Sequence, residues 1–366
     1  MAKFERPVEK PKLQFLHEMR PDLKPGDPIG ERLGVFAETD GGRNPHMPPE
    51  NAILRKEPVF EEYVEELKSF MLIKREKGIL EARVQTPGRG GLVWGTPAHH
   101  AIHYFWEHAG KDRDNEVIIF GGNGKDFFET IGPVEHPDYR DITKQPRNMP
   151  DLEEKAYNWM LYEHQYFDGT NDVEFQVDAE QPTIGVWNGG GFHSDLWLYT
   201  DITLATADAW TTEMHFRINM VPGDGVQLIW RNLMGHKRFA YAELTGEIIT
   251  AKKALQYGMI NEICDDTEAC YKRAWEIAEL IMHSGTHLTR RLTAQIIRRP
   301  WKEMVASYGR ADFATEMWNT LSEDSPHSSV YWACACAEAK ANMEAEKNGK
   351  IIRPRLGAFV EEDPML

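Results

Sequence analysis

Apolar and polar positions take on a regular rhythm only from about Val59 onward. Glu61 to Phe70 fits a short helix or a lead-in to the first strand. Phe70 to Lys74 and Ile79 to Gln85 are two short runs split by Lys77-Gly78, the pattern of a β-hairpin. A loop, Thr86 to Gly91, precedes a helical pattern from about Thr96 to His108. Val117 to Phe120 is an unbroken apolar run closed by Gly121-Gly122, as a buried parallel strand requires. Residues 132–150 read as a polar loop, and Leu152 to Phe167 as a helix. Pro182 to Trp187 is a further strand that ends in Asn188-Gly189-Gly190-Gly191. Leu196 to Thr200 and Ile202 to Ala205 continue the alternation. Helical periodicity then dominates, over about 268–284, 286–297, 301–322 and 328–347. Strands alternating with helices, followed by helices alone, predict an α/β core with a helical tail.

Ahead of this pattern, residues 1–58 are rich in Pro, Gly and charge, and form an irregular arm or a disordered tail. The organisation is therefore an arm over 1–58, a core over 59–265 and a helical part over 266–366. The 366 residues suffice for a sizeable core. With 42 basic against 58 acidic side chains the net charge is −16, which leaves no basic surplus for nucleic acid or an anionic membrane. The four cysteines form no CxxC pair, and the N-terminus has no apolar signal region. A soluble, cytoplasmic protein with reduced thiols is the expectation.

The stretch 182–263 carries a series of motifs: PTIGVWNGGG, DITLATADAW, HFRINMVPGDG and LTGEIITAKKALQYGMINEI. In this order they resemble the crotonase (enoyl-CoA hydratase/isomerase) superfamily, and DNEVIIFGGNGKDFFE upstream resembles its first core strand and turn. The resemblance implies an α/β fold, a spiral of β-β-α units with a C-terminal helical part for trimerisation. It also implies a homo-trimer or a dimer of trimers.

Hydratases of that superfamily use two glutamates. At the matching positions stand Asp195 and His215, so the pair that adds water to a double bond is absent. Where a loop normally supplies an N–H to a thioester oxygen, the sequence reads Phe128-Glu129-Thr130-Ile131. A narrower resemblance is to the β-diketone C–C hydrolases related to 6-oxocamphor hydrolase. Their His/Asp dyad matches His215 and Asp224, their turn histidine matches His193, and their L-V-W-x-x-x-A-H matches Leu92 to His99. Their glutamate in N-E-V matches Glu262. Asp195 departs from their pattern, being one methylene shorter than a glutamate.

On this resemblance the reaction is retro-Claisen cleavage of a cyclic β-diketone to a keto acid, with no cofactor. A histidine is a suitable base near neutral pH, and a carboxylate on its other nitrogen fixes the tautomer. His215 is the expected base on water and Asp224 its orienting partner. His193 and His99 are expected to donate to the carbonyl or enolate oxygens, beside Glu262. The glycines of the turn either permit its backbone or lend N–H groups to the oxyanion. Trp94, Phe128, Phe192 and Asp195 are the candidate pocket, with Phe127, Trp187 and Trp197 divided between pocket and core. His99 and His103 stand four apart, as metal ligands on a helix do, but no third ligand is evident and no metal is expected. An acyl-CoA hydratase, isomerase or thioesterase is the alternative within the superfamily, and a non-catalytic binding or assembly protein the alternative outside it.

Overall fold

The computed structural model describes residues 58–86, 90–131, 162, 166–320, 328–350 and 354. The arm, the loop at 132–150 and nearly all of the helix expected over 152–167 lie outside them. The first elements are α1 (Phe60–Leu67), β1 (Met71–Glu76), β2 (Ile79–Val84), β3 (Leu92–Trp94), α2 (Thr96–Ala109), β4 (Val117–Gly122) and β5 (Phe128–Ile131). They are followed by α3 (Asp168–Asp178), β6 (Thr183–Trp187), β7 (Gly190–Gly191), α4 (Asp195–Leu198), β8 (Ile202–Thr206) and β9 (Trp210–Thr211). A 3-10 turn (His215–Ile218) leads to α5 (Val226–Met234), α6 (His236–Thr245), β10 (Ile249–Thr250), α7 (Ala251–Tyr257) and β11 (Glu262–Cys264). The chain closes with helices α8 (Thr267–Ser284), α9 (His287–Met304), α10 (Arg310–Thr320) and α11 (Ser328–Lys347). None of the described helices is long and apolar enough to cross a membrane.

The main sheet has the order β1-β2-β4-β6-β8-β11. β1 and β2 pair antiparallel as the expected hairpin, and Lys77 and Gly78 take the positive φ that a two-residue turn of this hand needs. The other pairings are parallel. Alternate residues go to opposite faces. Ile79, Val117, Ile119, Ile184, Val186 and Leu204 pack on Cys270, Tyr271 and Ala274 of α8. Leu80, Ala82, Ile118, Phe120 and Trp187 face the larger core, with Phe105 and Trp106 of α2. Each fully buried aromatic or branched side chain there contributes about 1.5–3 kcal/mol. Two small sheets, β10-β9-β7 and β3-β5, stand beside the main one and carry the glycine turn and the aromatic segment towards α2.

Two expectations are corrected, and one helix was not expected. The segment over 196–200 is not a strand: it is the single turn α4, with Leu196 to Tyr199 all buried, and a run buried on every side has no readable period. α9 does not break before Pro300 but continues through it into a π turn, Val305–Gly309. The proline leaves the Ile296 carbonyl without a donor, and Ile296 is exposed to water, which limits the cost. α3 has the sequence DGTNDVEFQVD, poor in helix formers, and no helix is legible there. Asp168, Thr170, Asn171, Asp172 and Gln176 of it are nevertheless buried, so tertiary contacts hold the helix.

One buried ion pair ties the helical part to the sheet. Arg298 of α9 is fully buried, lies 3.0 Å from Asp201 and donates to the carbonyls of Gln176 and Gln181. Asp201 in turn accepts from the N–H and hydroxyl of Thr183 at the start of β6.

Candidate active site

Three histidine rings stand in a row. The His99 and His193 centroids are 5.8 Å apart, and those of His193 and His215 are 5.9 Å apart. His99 comes from the first turn of α2, His193 from the loop after β7, and His215 from the first position of the 3-10 turn. Asp224 lies two residues before α5, where its Oδ1 accepts from the Val226 N–H and the positive end of the helix favours its charge. Gly225 follows at φ 116, a conformation that turns the chain back into α5 and that a side chain disfavours. Its carbonyl accepts from the Tyr199 hydroxyl, which fixes the loop to the segment after α4.

The expected pairing of Asp224 with His215 is corrected in its geometry. Asp224 Oδ2 lies 2.9 Å from His193 Nδ1 and 3.6 Å from His215 Nε2, so one carboxylate serves two imidazoles. The other nitrogen of His215 belongs to Glu213. Glu213 Oε1 accepts from the His215 N–H at 2.8 Å and stands 2.5 Å from Nδ1, because the 3-10 turn folds the ring back over the preceding residues. Glu316 of α10 stands on the Asp224 side of the ring, 3.8 Å from Nε2. His99 Nδ1 has its own carboxyl partner, Asp172 of α3, at 2.7 Å.

Burial opposes charge on His215, but Glu213, Asp224 and Glu316 overcome it and raise its pKa well above the usual value. His193 follows the same balance: Asp224 and Asp195 outweigh burial and lift it to about 9. Burial would raise Asp224, yet the two imidazoles hold it below its ordinary range. Burial instead wins for Asp195, raised to about 6, and for Glu316, raised to about 8. It also wins for the His99–Asp172 pair, with His99 lowered to about 3 and Asp172 well raised. Burial therefore disfavours charge on both partners, and a neutral His99 keeps one ring N–H as a donor.

The turn after β6 has little to offer an oxyanion. The Gly189 N–H donates to the Thr206 hydroxyl and the Gly190 N–H to Asp126 Oδ1. Gly189 has φ 60 and its α-carbon faces the Lys125 carbonyl, so the backbone explains this glycine. The segment Phe128–Ile131 is the strand β5, paired with β3. With these two N–H groups engaged, the imidazoles of His99, His193 and His215 are the donors that the site offers in one place.

The aromatic residues form one wall. Trp94 lies 3.8 Å from the His193 ring and 4.3 Å from the His99 ring, centroid to centroid. Phe128 and Phe192 are 4.6 Å apart and both contact Trp94. Phe127, Trp187 and Trp197 are fully buried, and Trp197 stacks on Trp187.

The structure thus brings together His99, His193, Asp195, His215, Asp224, Trp94, Phe128 and Phe192. It does not bring Glu262, which is half-exposed on β11 with both carboxylate oxygens held by Arg273 of α8. The expectation for Glu262 is corrected: the N-E dipeptide opens an edge strand. The residues that sequence reasoning missed are Glu213, Asp172, Glu316 and Glu243. Glu213 had a local signal, an acid two residues before the histidine. Asp172 lay on the helix that propensity hides, and Glu316 reaches the site from 92 residues beyond Asp224. Glu243 of α6 is buried near Glu213 with neither carboxylate oxygen hydrogen-bonded, and burial raises it to about 9.

Two groups among the described residues have the geometry to hold a cation: His193–His215–Asp224 and His100–His103–Asp168. In the first, both imidazoles favour the protonated form, and a proton competes with a metal for the same lone pairs.

The enoyl-CoA hydratase/isomerase family model matches residues 177–324. Among solved structures, a β-diketone hydrolase from the cyanobacterium Anabaena sp. PCC 7120, bound to (S)-3-oxocyclohexyl acetic acid, is 27% identical. The match covers 71% of this chain and 96% of that one, with a TM-score of 0.61. An enoyl-CoA hydratase/isomerase from Mycobacterium paratuberculosis is 17% identical (70% and 95% covered, TM-score 0.56), and an enoyl-CoA hydratase from Bacillus halodurans is 14% identical (70% and 97%, TM-score 0.57). At that identity the last two speak for the fold alone. No curated protein sequence matches the chain significantly.

Proposed function

From the similarity to the enoyl-CoA hydratase/isomerase family and to a β-diketone hydrolase, we propose that this protein is a hydrolase that cleaves the C–C bond of a cyclic β-diketone. The observation that carries the reading is the position of Asp224 Oδ2 between His193 Nδ1 and His215 Nε2. That carboxylate stabilises positive charge on two imidazoles at once, one for proton transfer and one for the oxyanion.

In this reading water adds its oxygen to one carbonyl carbon while its proton passes to the unprotonated form of His215, a form that becomes scarcer as pH falls because the pKa is raised. Glu213, Asp224 and Glu316 stabilise the resulting imidazolium. His193, protonated up to about 9, and the neutral His99 donate to the carbonyl oxygens. The C–C bond between the carbonyls then breaks, its electron pair passes to the second carbonyl as an enolate, and His215 returns the proton to the enolate carbon. Diketone plus water gives a keto acid, and no redox step or external acid is required. The aromatic wall of Trp94, Phe128 and Phe192 suits an apolar ring. The compound bound to the Anabaena hydrolase is itself a keto acid, the product class such a reaction releases.

The test is a panel of cyclic 1,3-diketones, followed by loss of ultraviolet absorbance, beside crotonyl-CoA. His215→Ala and Asp224→Asn are assayed in parallel. Diketone turnover that both substitutions abolish is the expected result. Turnover of the CoA ester alone refutes the reading and restores an acyl-CoA role, and silence on both substrates, with the fold intact, favours a binding role.

A further inference from the structure

Beyond the active site, α2 and α3 carry a second polar cluster that the proposed reaction does not use. The two helices run antiparallel, so that His99 meets Asp172 and, one turn on, His103 meets Asp168. His100 reaches the same aspartate from the exposed side of α2. His100 Nδ1 lies 3.4 Å from Asp168 Oδ2, and His103 Nδ1 lies 3.4 Å from Asp168 Oδ1. All three ligand atoms lie within 4.8 Å of one another.

We propose that His100, His103 and Asp168 form a binding site for a divalent transition-metal ion of the zinc type. Distance is the first argument. Ligand atoms about 2.0–2.1 Å from a tetrahedral zinc stand about 3.4 Å apart, the separation of each imidazole from its nearer Asp168 oxygen, and one atom from each residue lies within 4.8 Å of the others. Satisfaction is the second. His103 and Asp168 are each more than nine-tenths buried, and neither His103 Nδ1 nor Asp168 Oδ2 makes a hydrogen bond of good geometry. Buried polar atoms without partners are costly, and an ion between them satisfies both. Ligand type is the third: two imidazoles and a carboxylate suit zinc and its neighbours rather than calcium or magnesium. Access is the fourth. The His100 side chain is 62% exposed, which opens the cluster to solvent on one side and leaves a coordination position for water. The sequence showed histidines four apart. The structure replaces that pair with His100 and His103, three apart, because His99 is engaged by Asp172, and it supplies the third ligand from α3. An ion here clamps α2 to α3 one turn from the His99–Asp172 pair.

The experiment uses the full chain, stripped with a chelator, dialysed and titrated with Zn²⁺ against a chromophoric competitor. Co²⁺ is used in parallel to read coordination from its visible absorption. The expected result is one equivalent bound with a Kd below about 1 µM, weakened at least about tenfold by His100→Ala and by Asp168→Asn, and unchanged by His215→Ala. His100→Ala decides even where a buried substitution disturbs folding, because it removes an exposed side chain. A wild-type Kd above about 100 µM overturns the proposal. So does binding that survives His100→Ala and is lost in His215→Ala, which moves the ion to the active site.

Discussion

Asp224→Asn is the most informative single change, since one oxygen serves two imidazoles, 2.9 Å from His193 and 3.6 Å from His215. In the wild type, burial penalises charge on His193, and Asp224 with Asp195 more than offsets this. The rise from 6.5 to about 9 corresponds to about 3 kcal/mol in favour of the imidazolium. The amide keeps the shape and removes the charge, so burial prevails and the His193 pKa falls below 6.5. At pH 7.5 the ring then passes from almost fully protonated to mostly neutral. The assay is imidazole NMR of histidine-labelled protein from pH 5 to 10, with the His193 signal identified by its absence in His193→Gln. In the catalytic reading kcat/KM at pH 7.5 falls in step by about 10²–10³, the worth of one oxyanion donor. The effect on stability has a definite sign. A histidine whose folded pKa lies above its unfolded value contributes fully below 6.5, and the contribution disappears as pH rises through about 9. A His193 titration that Asp224→Asn leaves unmoved, or a wild-type ring that is neutral at pH 7, refutes the reasoning.

Glu213→Gln removes the carboxylate that holds His215 Nδ1, and kcat is expected to fall by about 10²–10⁴ with little change in KM, whereas Glu262→Gln leaves both unchanged; steady-state kinetics on a diketone decide. Glu243, raised to about 9, costs stability increasingly as pH climbs above 4.5, so Glu243→Gln stabilises the fold by about 1–3 kcal/mol at pH 7–8 and not at pH 4.5. Thermal melts at the two pH values read this directly, and equal shifts at both contradict it. Arg298→Met strands the buried Asp201 carboxylate and is expected to cost about 3–5 kcal/mol in urea unfolding, while a loss under about 1 kcal/mol contradicts the anchoring role. The pH profile of kcat/KM falls above about 9, as His193 loses its proton, and His193→Gln removes that limb.

The main sheet was legible because its physics is local. The Val117–Gly122 strand is buried on both faces and reads as an apolar run, and Lys77-Gly78 fixes the hairpin by its positive φ. Motif order supplied His99, His193, His215 and Asp224, which four separate segments carry to one place. Spacing gave Asp224 as the partner of His215 but missed the nearer one, since nine residues to Asp224 says nothing of how the 3-10 turn rotates the ring towards Glu213. Asp168 and Asp172 were hidden in a helix that tertiary contacts impose on weak helix formers. Glu316 lies on a helix whose sequence marks no face as catalytic, so only the packing of α10 reveals it. Glu262 shows the converse: a motif carried over from the family placed a residue in the site that the fold puts on an edge strand with Arg273.

In the proposed reaction water enters a C–C bond and not a double bond. A single turnover of a cyclic 1,3-diketone in H₂¹⁸O and D₂O, read by mass spectrometry and NMR, tests it most directly. The expected product is a keto acid with one ¹⁸O in the carboxyl group and deuterium on the carbon released as the enolate, with no such product from His215→Ala. Label in a new alcohol with the ring intact, or turnover that persists without His215, contradicts it.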